Sequence, residues 1–157
     1  MTQQAVAIVV SPADETIHIG PLAIRFLLTG AQTNESAAIF EVTVPAGEKL
    51  RSPDHSHNAY DETAYGLEGT LTWTVEGQSF EIGPRQALCI PRGAVHRFDN
   101  FGDVSAKVLM IASPAAIGPE FFREAAAAMT PAGGGPPDPV RLMEIKRQHG
   151  LTPVLGS

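Results

Sequence analysis

His55-Ser56-His57-Asn58-Ala59-Tyr60-Asp61-Glu62, followed after six residues by Gly69, and Pro91-Arg92-Gly93-Ala94-Val95-His96-Arg97-Phe98-Asp99-Asn100 are the stretches that decide the fold. On a strand, side chains at i and i+2 point the same way, so His55 and His57 can offer two imidazoles to one point. Glu62 lies beyond a short bend, and His96 follows a Pro-x-Gly turn on a later strand. Three imidazoles and one carboxylate suit a single divalent metal, with positions left free for a substrate.

The intervening sequence reads as β structure. Leu71, Trp73 and Val75 alternate with Thr70, Thr72 and Thr74, the period of a half-buried strand. A turn at Glu76-Gly77-Gln78 leads into a return strand, Ser79 to Ile82, which Gly83-Pro84 ends. Thr63 to Leu67 continues from Glu62, and Ala87 to Ile90 is a compact apolar run that predicts a buried strand. Upstream, Ala5 to Val10 predicts an edge strand, and Thr16–Ile19 and Leu22–Thr29 flank the turn pair Gly20-Pro21 as a hairpin. Gly30 to Ser36 reads as a polar loop; Ala38 to Val44 alternates well and stops at Pro45-Ala46-Gly47. Ser105 to Ala112 is the last clear strand. Roughly ten short strands between Gly/Pro turns, with no helical period before residue 118, predict an all-β sandwich or barrel.

The tail changes character. Pro119 opens a helix at a favourable first-turn position, with Phe121, Phe122 and Ala125 to Met129 as its apolar stripe. A Gly/Pro linker from Pro131 to Pro137 precedes a second helix, Val140 to His149, capped by Asp138-Pro139 and stopped by Gly150. The division expected is a β-barrel over residues 1–117 and a helical extension over 118–157. Two short amphipathic helices cannot form their own core, so they are expected to dock on the barrel or on a partner in a homodimer.

Composition excludes several classes. A chain of 157 residues with 43% apolar and 18% charged residues suits one globular domain. A net charge of −6 without a basic cluster argues against nucleic acid as partner. The single Cys89 allows no intrachain disulfide, and Met1 to Val10 is too short and lacks the basic start of a signal or membrane span. A cytoplasmic protein with a small-molecule substrate is expected.

The spacing His55-x-His57-x4-Glu62-x6-Gly69 with Pro91-x-Gly93-x2-His96-x3-Asn100 resembles the cupin superfamily. The resemblance implies a double-stranded β-helix, or jelly roll, with His55, His57, Glu62 and His96 as ligands of one divalent metal. The chain departs from the family pattern in one respect. The glycine that opens each motif is displaced: Gly47 and Gly83 stand two residues early, leaving Lys49 and Arg85 at the usual positions.

The flanks resemble single-domain quercetinase-like cupins. They are Leu22-Ala23-Ile24-Arg25-Phe26-Leu27-Leu28-Thr29-Gly30, Phe40 to Pro45, Gly118 to Glu124, Gly134 to Pro139 and Arg147 to Leu151. That resemblance implies a metal-dependent dioxygenase acting on a flavonol or related hydroxy-ketone, with Glu62 as both ligand and catalytic base. A metal-dependent lyase or isomerase and a non-catalytic binder are the alternatives. The donor set accepts manganese, iron, cobalt, nickel, copper or zinc alike.

Other residues carry blander expectations. Asn100 reads as a turn-former or a hydrogen bonder outside the ligand set, and Asp54 and Asp61 as solvated. Cys89 reads as a small buried hydrophobe and Trp73 as core. Tyr60, Tyr65, Phe98 and Met110 pack in the core or line an apolar pocket. Ser56 lacks a triad, since both neighbouring histidines serve better on a metal.

Overall fold

The computed structural model describes residues 7–11, 15–49, 54–131 and 133–154. Two antiparallel sheets face one another. In chain order, β1 (Ile17–Ile19), β2 (Leu22–Leu28) and β3 (Ala38–Val44) lead to β4 (His55–His57) and β5 (Asp61–Glu68). Then come β6 (Leu71–Val75), β7 (Gln78–Ile82), β8 (Ala87–Ile90), β9 (His96–Asp99) and β10 (Ala106–Ser113). After the helices α1 (Pro119–Met129) and α2 (Pro139–Gln148), a short β11 (Leu151–Pro153) closes the chain's described structure.

One sheet has the order β1-β2-β3-β10-β5-β8, the other β11-β4-β9-β6-β7. The chain thus crosses repeatedly between the two, as in a jelly roll. The fold is all-β with two C-terminal helices. No helix among the described residues is long and apolar enough to cross a membrane.

Alternation decides which face is inside. Along β3, Ala38, Phe40, Val42 and Val44 are buried while Ile39, Glu41 and Thr43 are half-exposed; along β10, Ala106, Val108, Met110 and Ala112 are buried. The turns follow backbone chemistry. Glu76 and Gly77 have φ of 48° and 79°, the pair of positive values that a two-residue hairpin between β6 and β7 requires. The Gly83-Pro84-Arg85-Gln86 turn is closed by a 3.2 Å bond from the Gln86 N–H to the Gly83 carbonyl. Its third residue needs positive φ, and Arg85 occupies it at 66°. This is the position where the family pattern has glycine. At the first motif, Gly47 makes the left-handed turn itself, at φ 73°.

The helices lie on the barrel. Phe122 of α1 packs on Phe26 and Phe40, with ring centroids 5.6 and 5.3 Å away, and those two rings stack at 4.8 Å. Ile145 of α2 is buried and Leu142 packs against the same core. Asp138 caps α2 by accepting from the Arg141 N–H at 2.9 Å.

Three expectations need correction. Ala7 to Val10 forms no strand, and Val9 is almost fully exposed; Ala5 and Val6 lie outside the described residues. A β-branched run has strand propensity, but without a neighbour to pair with it makes no ladder. Cys89 is exposed, not buried. Strand β8 is the edge of its sheet, so Ala87 and Cys89 alternate outward while Ile90 turns in. The polar loop after β2 holds a turn of 3₁₀ helix at Gly30–Gln32, where the Gln32 side chain accepts from the Thr29 N–H.

Candidate metal centre

The two sheets bring four residues together. His55 and His57 stand on β4, and His55 is the cross-strand partner of His96 on β9. Glu62 comes from the opposite sheet, where β5 pairs it with Ile90 and Ala112. The Pro91-Arg92-Gly93 turn sets the height of His96. Gly93 takes φ 86°, and its N–H donates to the His57 carbonyl at 2.8 Å, locking the turn onto β4.

The three imidazoles form a tight triangle, with ring centroids 4.6, 4.9 and 5.0 Å apart. One ring nitrogen from each lies within 4.8 Å of the others, so the three are positioned to bind a metal ion. The Glu62 carboxylate reaches the same point: its Oε2 is 2.7 Å from His57 Nε2 and 3.2 Å from His96 Nε2. His57, His96 and Glu62 are buried, and His55 is half-buried.

The electrostatics are those of a site waiting for a cation. Burial, and then the nearby His96 and His57, disfavour the second ring proton of His55, whose pKa falls to about 3. Its imidazole is therefore neutral, the form that ligates. Burial opposes charge on Glu62, yet contact with His57 and His96 outweighs it and holds the carboxyl well below the usual range. Burial likewise opposes a proton on His96, but the Glu62 carboxylate wins and raises its pKa. The carboxylate thus draws positive charge into the cluster.

The residues fit a metal on a further count. His57 Nε2 and Glu62 Oε2 are close but not aligned as donor and acceptor, and among the described residues neither has another hydrogen-bond partner. Two buried, unpaired polar atoms are costly, and a cation at their meeting point satisfies both.

The outward nitrogens are held as ligating histidines usually are. His96 Nδ1–H donates to the Ala94 carbonyl at 2.9 Å, leaving Nε2 to face Glu62. His57 Nδ1 lies 2.6 Å from the hydroxyl of Tyr60, whose ring stacks on the imidazole at 4.4 Å. Tyr60 therefore supports a candidate ligand. The sequence marked it only as core or pocket lining, because two residues and a bend separate it from His57.

Neighbouring residues have other tasks. Asn100 is fully buried and clamps three backbones: its Nδ2 donates to the carbonyls of Val44, Pro45 and Val104 at 3.1, 3.0 and 2.9 Å. Its Oδ1 accepts from the Gly102 N–H at 3.0 Å. Asp54 is not simply solvated, since it pairs with Arg97 at 2.8 Å, and Asp61 accepts from the Arg92 backbone N–H and side chain. Trp73 and Met110 are core, with Phe98 4.8 Å from the Trp73 ring. Ser56 is buried in β4 opposite Thr152.

Residues 40–112 match the family model of the cupin domain. Those residues, a little under half of the chain, carry the cupin-domain match, and the two-sheet fold is the one cupins have. The chain is 32% identical over 97 residues to the tetracenomycin polyketide synthase protein TcmJ of Streptomyces glaucescens, covering 61% of this chain and 64% of that one. It is 31% identical over 71 residues to quercetin 2,3-dioxygenase of Bacillus subtilis, covering 45% of this chain and 21% of that protein. The matches therefore span less than two thirds of these relatives' own lengths. Among solved structures, the polyketide cyclase RemF of Streptomyces resistomycificus superposes with a TM-score of 0.53 at 23% identity. That likeness covers 72% of this chain and 80% of RemF, and it concerns the fold alone.

Proposed function

We propose that this protein is a metal-dependent enzyme acting on a flat, oxygen-rich substrate with a hydroxyl beside a ketone, or the corresponding enol. The observation that carries this reading is the convergence of His55, His57, His96 and Glu62 from two sheets, with the buried His57 Nε2 and Glu62 Oε2 2.7 Å apart and without an aligned hydrogen bond. All four residues would hold one divalent ion, drawn from manganese, iron, cobalt, nickel, copper and zinc. When bound, that ion supplies Lewis-acid polarisation of the substrate oxygens.

The chain's own part is binding, orientation and proton transfer. Inward-facing Trp73, Phe98 and Met110 give the neighbourhood an apolar character suited to aromatic rings. Glu62 takes the substrate hydroxyl proton onto its carboxylate.

The fate of the deprotonated substrate divides two readings. The wider match to TcmJ, and the fold shared with a polyketide cyclase, favour proton redistribution or ring closure on a polyketide-like substrate without oxygen. The narrower match to quercetin 2,3-dioxygenase favours reaction of the same electron-rich ring with O2. A homodimer and a cytoplasmic setting belong to the same proposal.

Protein loaded in turn with each metal, and offered flavonols and aromatic polyketide enols, tests both readings by absorbance and oxygen electrode. Substrate conversion is expected, with Glu62→Gln losing far more turnover than metal. Oxygen uptake selects the dioxygenase; conversion without uptake selects the cyclase or isomerase. A fully loaded protein that converts nothing contradicts both and leaves a binding protein.

A further inference from the structure

The outward face of the sheet β1-β2-β3-β10-β5-β8 is apolar where a face left to water alternates to polar residues. Cross-strand partners share a face, so the registers define its rows. One row crosses five strands as Leu28, Ile39, Ile111, Thr63 and Cys89. The neighbouring row runs Arg25, Glu41, Leu109, Tyr65 and Ala87. None of these residues is buried. Helix α1 lies on the other side of the same sheet, where Phe122 meets Phe26 and Phe40; their chain neighbours Arg25 and Ile39 point the opposite way. A contiguous apolar surface of this kind marks an interface.

Charge and size select the partner. A chain of net charge −6 repels its own copies at long range. On this face the charges are matched: Arg25 is the cross-strand partner of Glu41, Lys107 lies 4.0 Å from Glu68, and Arg92 holds Asp61 at the start of β5. Two copies can therefore meet here without the repulsion that the rest of their surface carries, whereas a strongly charged partner finds no complementary field. The two longest of these strands before β5 have seven residues each. Five such strands cover about 24 Å by about 24 Å, roughly 600 Å² in projection. That is the scale of the about 800 Å² of accessible surface that each partner of a stable dimer buries.

We infer that two copies of this chain meet on the outward face of this sheet, face to face about a two-fold axis, with Leu109, Ile111 and Tyr65 near the centre. The homodimer of the functional proposal thereby receives its surface, and the inference rests on that part of the proposal.

Sedimentation velocity of the full-length protein tests it, with circular dichroism as the check on folding. The wild type is expected to run as a dimer at micromolar concentration. Leu109→Asp sets an unpaired carboxylate from each copy in the closed interface and should raise the dissociation constant about a hundredfold with the β signal retained. Phe101→Asp and Val140→Asp, at exposed apolar residues elsewhere, should leave the dimer intact. Should Leu109→Asp fail to fold, hydroxyl-radical footprinting of the wild type decides: Tyr65 and Leu109 should be protected in the dimer and react after dilution to the monomer. A wild type that stays monomeric up to its solubility limit overturns the surface and the homodimer together, and leaves the face to an unlike partner. A dimer that survives Leu109→Asp, or protection confined to the helices, overturns the surface alone.

Discussion

Leu151 pairs with His57 across the β11–β4 ladder, so the last described strand of the chain braces the strand that carries two of the three clustered histidines. Without β11, β4 would be a three-residue edge held, among the described residues, through β9 and the Gly93 N–H. Truncation after His149 is expected to weaken metal binding about tenfold, the size of effect usual for support around a ligand, while the β signal in circular dichroism persists. Isothermal titration with zinc measures it. Unchanged affinity would mean that the tail is irrelevant to the centre.

Tyr60 makes a subtler contribution. Tyr60→Phe keeps the ring stacked on His57 but removes the hydroxyl 2.6 Å from Nδ1. Metal affinity should fall about tenfold with little change in melting temperature. A large loss of stability with unchanged affinity would assign the hydroxyl to the fold instead.

The Asn100 clamp predicts the opposite pattern. Asn100→Ala takes a donor from the carbonyls of Pro45 and Val104 and an acceptor from the Gly102 N–H in a fully buried place, while the Val44 carbonyl keeps the Ser105 hydroxyl. Loss of about 3 kcal/mol is expected from several bonds of roughly 1 kcal/mol each plus the desolvation left uncompensated. Urea unfolding reads this directly. Metal affinity of the folded fraction should not change, because Asn100 touches none of the four clustered residues.

Much of this was legible in the sequence, and what was not has physical causes. Alternation along β3 and β6 announced their buried faces, and the His-x-His pair with Glu62 and His96 announced the cluster. Strand β11 was invisible: Leu151-Thr152-Pro153 is too short to show a period, and only its partner makes it a strand. The outward face of Cys89 was missed because four apolar residues in a row give no phase. The Tyr60–His57 contact depends on how the chain bends between two strands, which spacing alone does not encode.

Arg85 offers a prediction in the stabilising direction. It holds φ 66° at the third place of a turn that favours glycine, where a side chain costs about 1–2 kcal/mol. Glycine brings extra unfolded-state freedom worth about 0.5–1 kcal/mol against it. Arg85→Gly should therefore stabilise by about 0.5–1 kcal/mol, seen as a rise of a few degrees in melting temperature. A fall would show that the arginine side chain makes contacts in solution that outweigh its strain.

The central claim is that His55, His57, His96 and Glu62 hold one metal ion, and anomalous diffraction from crystals of the metal-loaded protein tests it most directly. One peak at the metal's absorption edge is expected, about 2.0–2.2 Å from a ring nitrogen of each histidine and from a Glu62 carboxylate oxygen. A stoichiometrically loaded crystal whose anomalous peak lies elsewhere, with the four side chains left facing one another, would contradict the account.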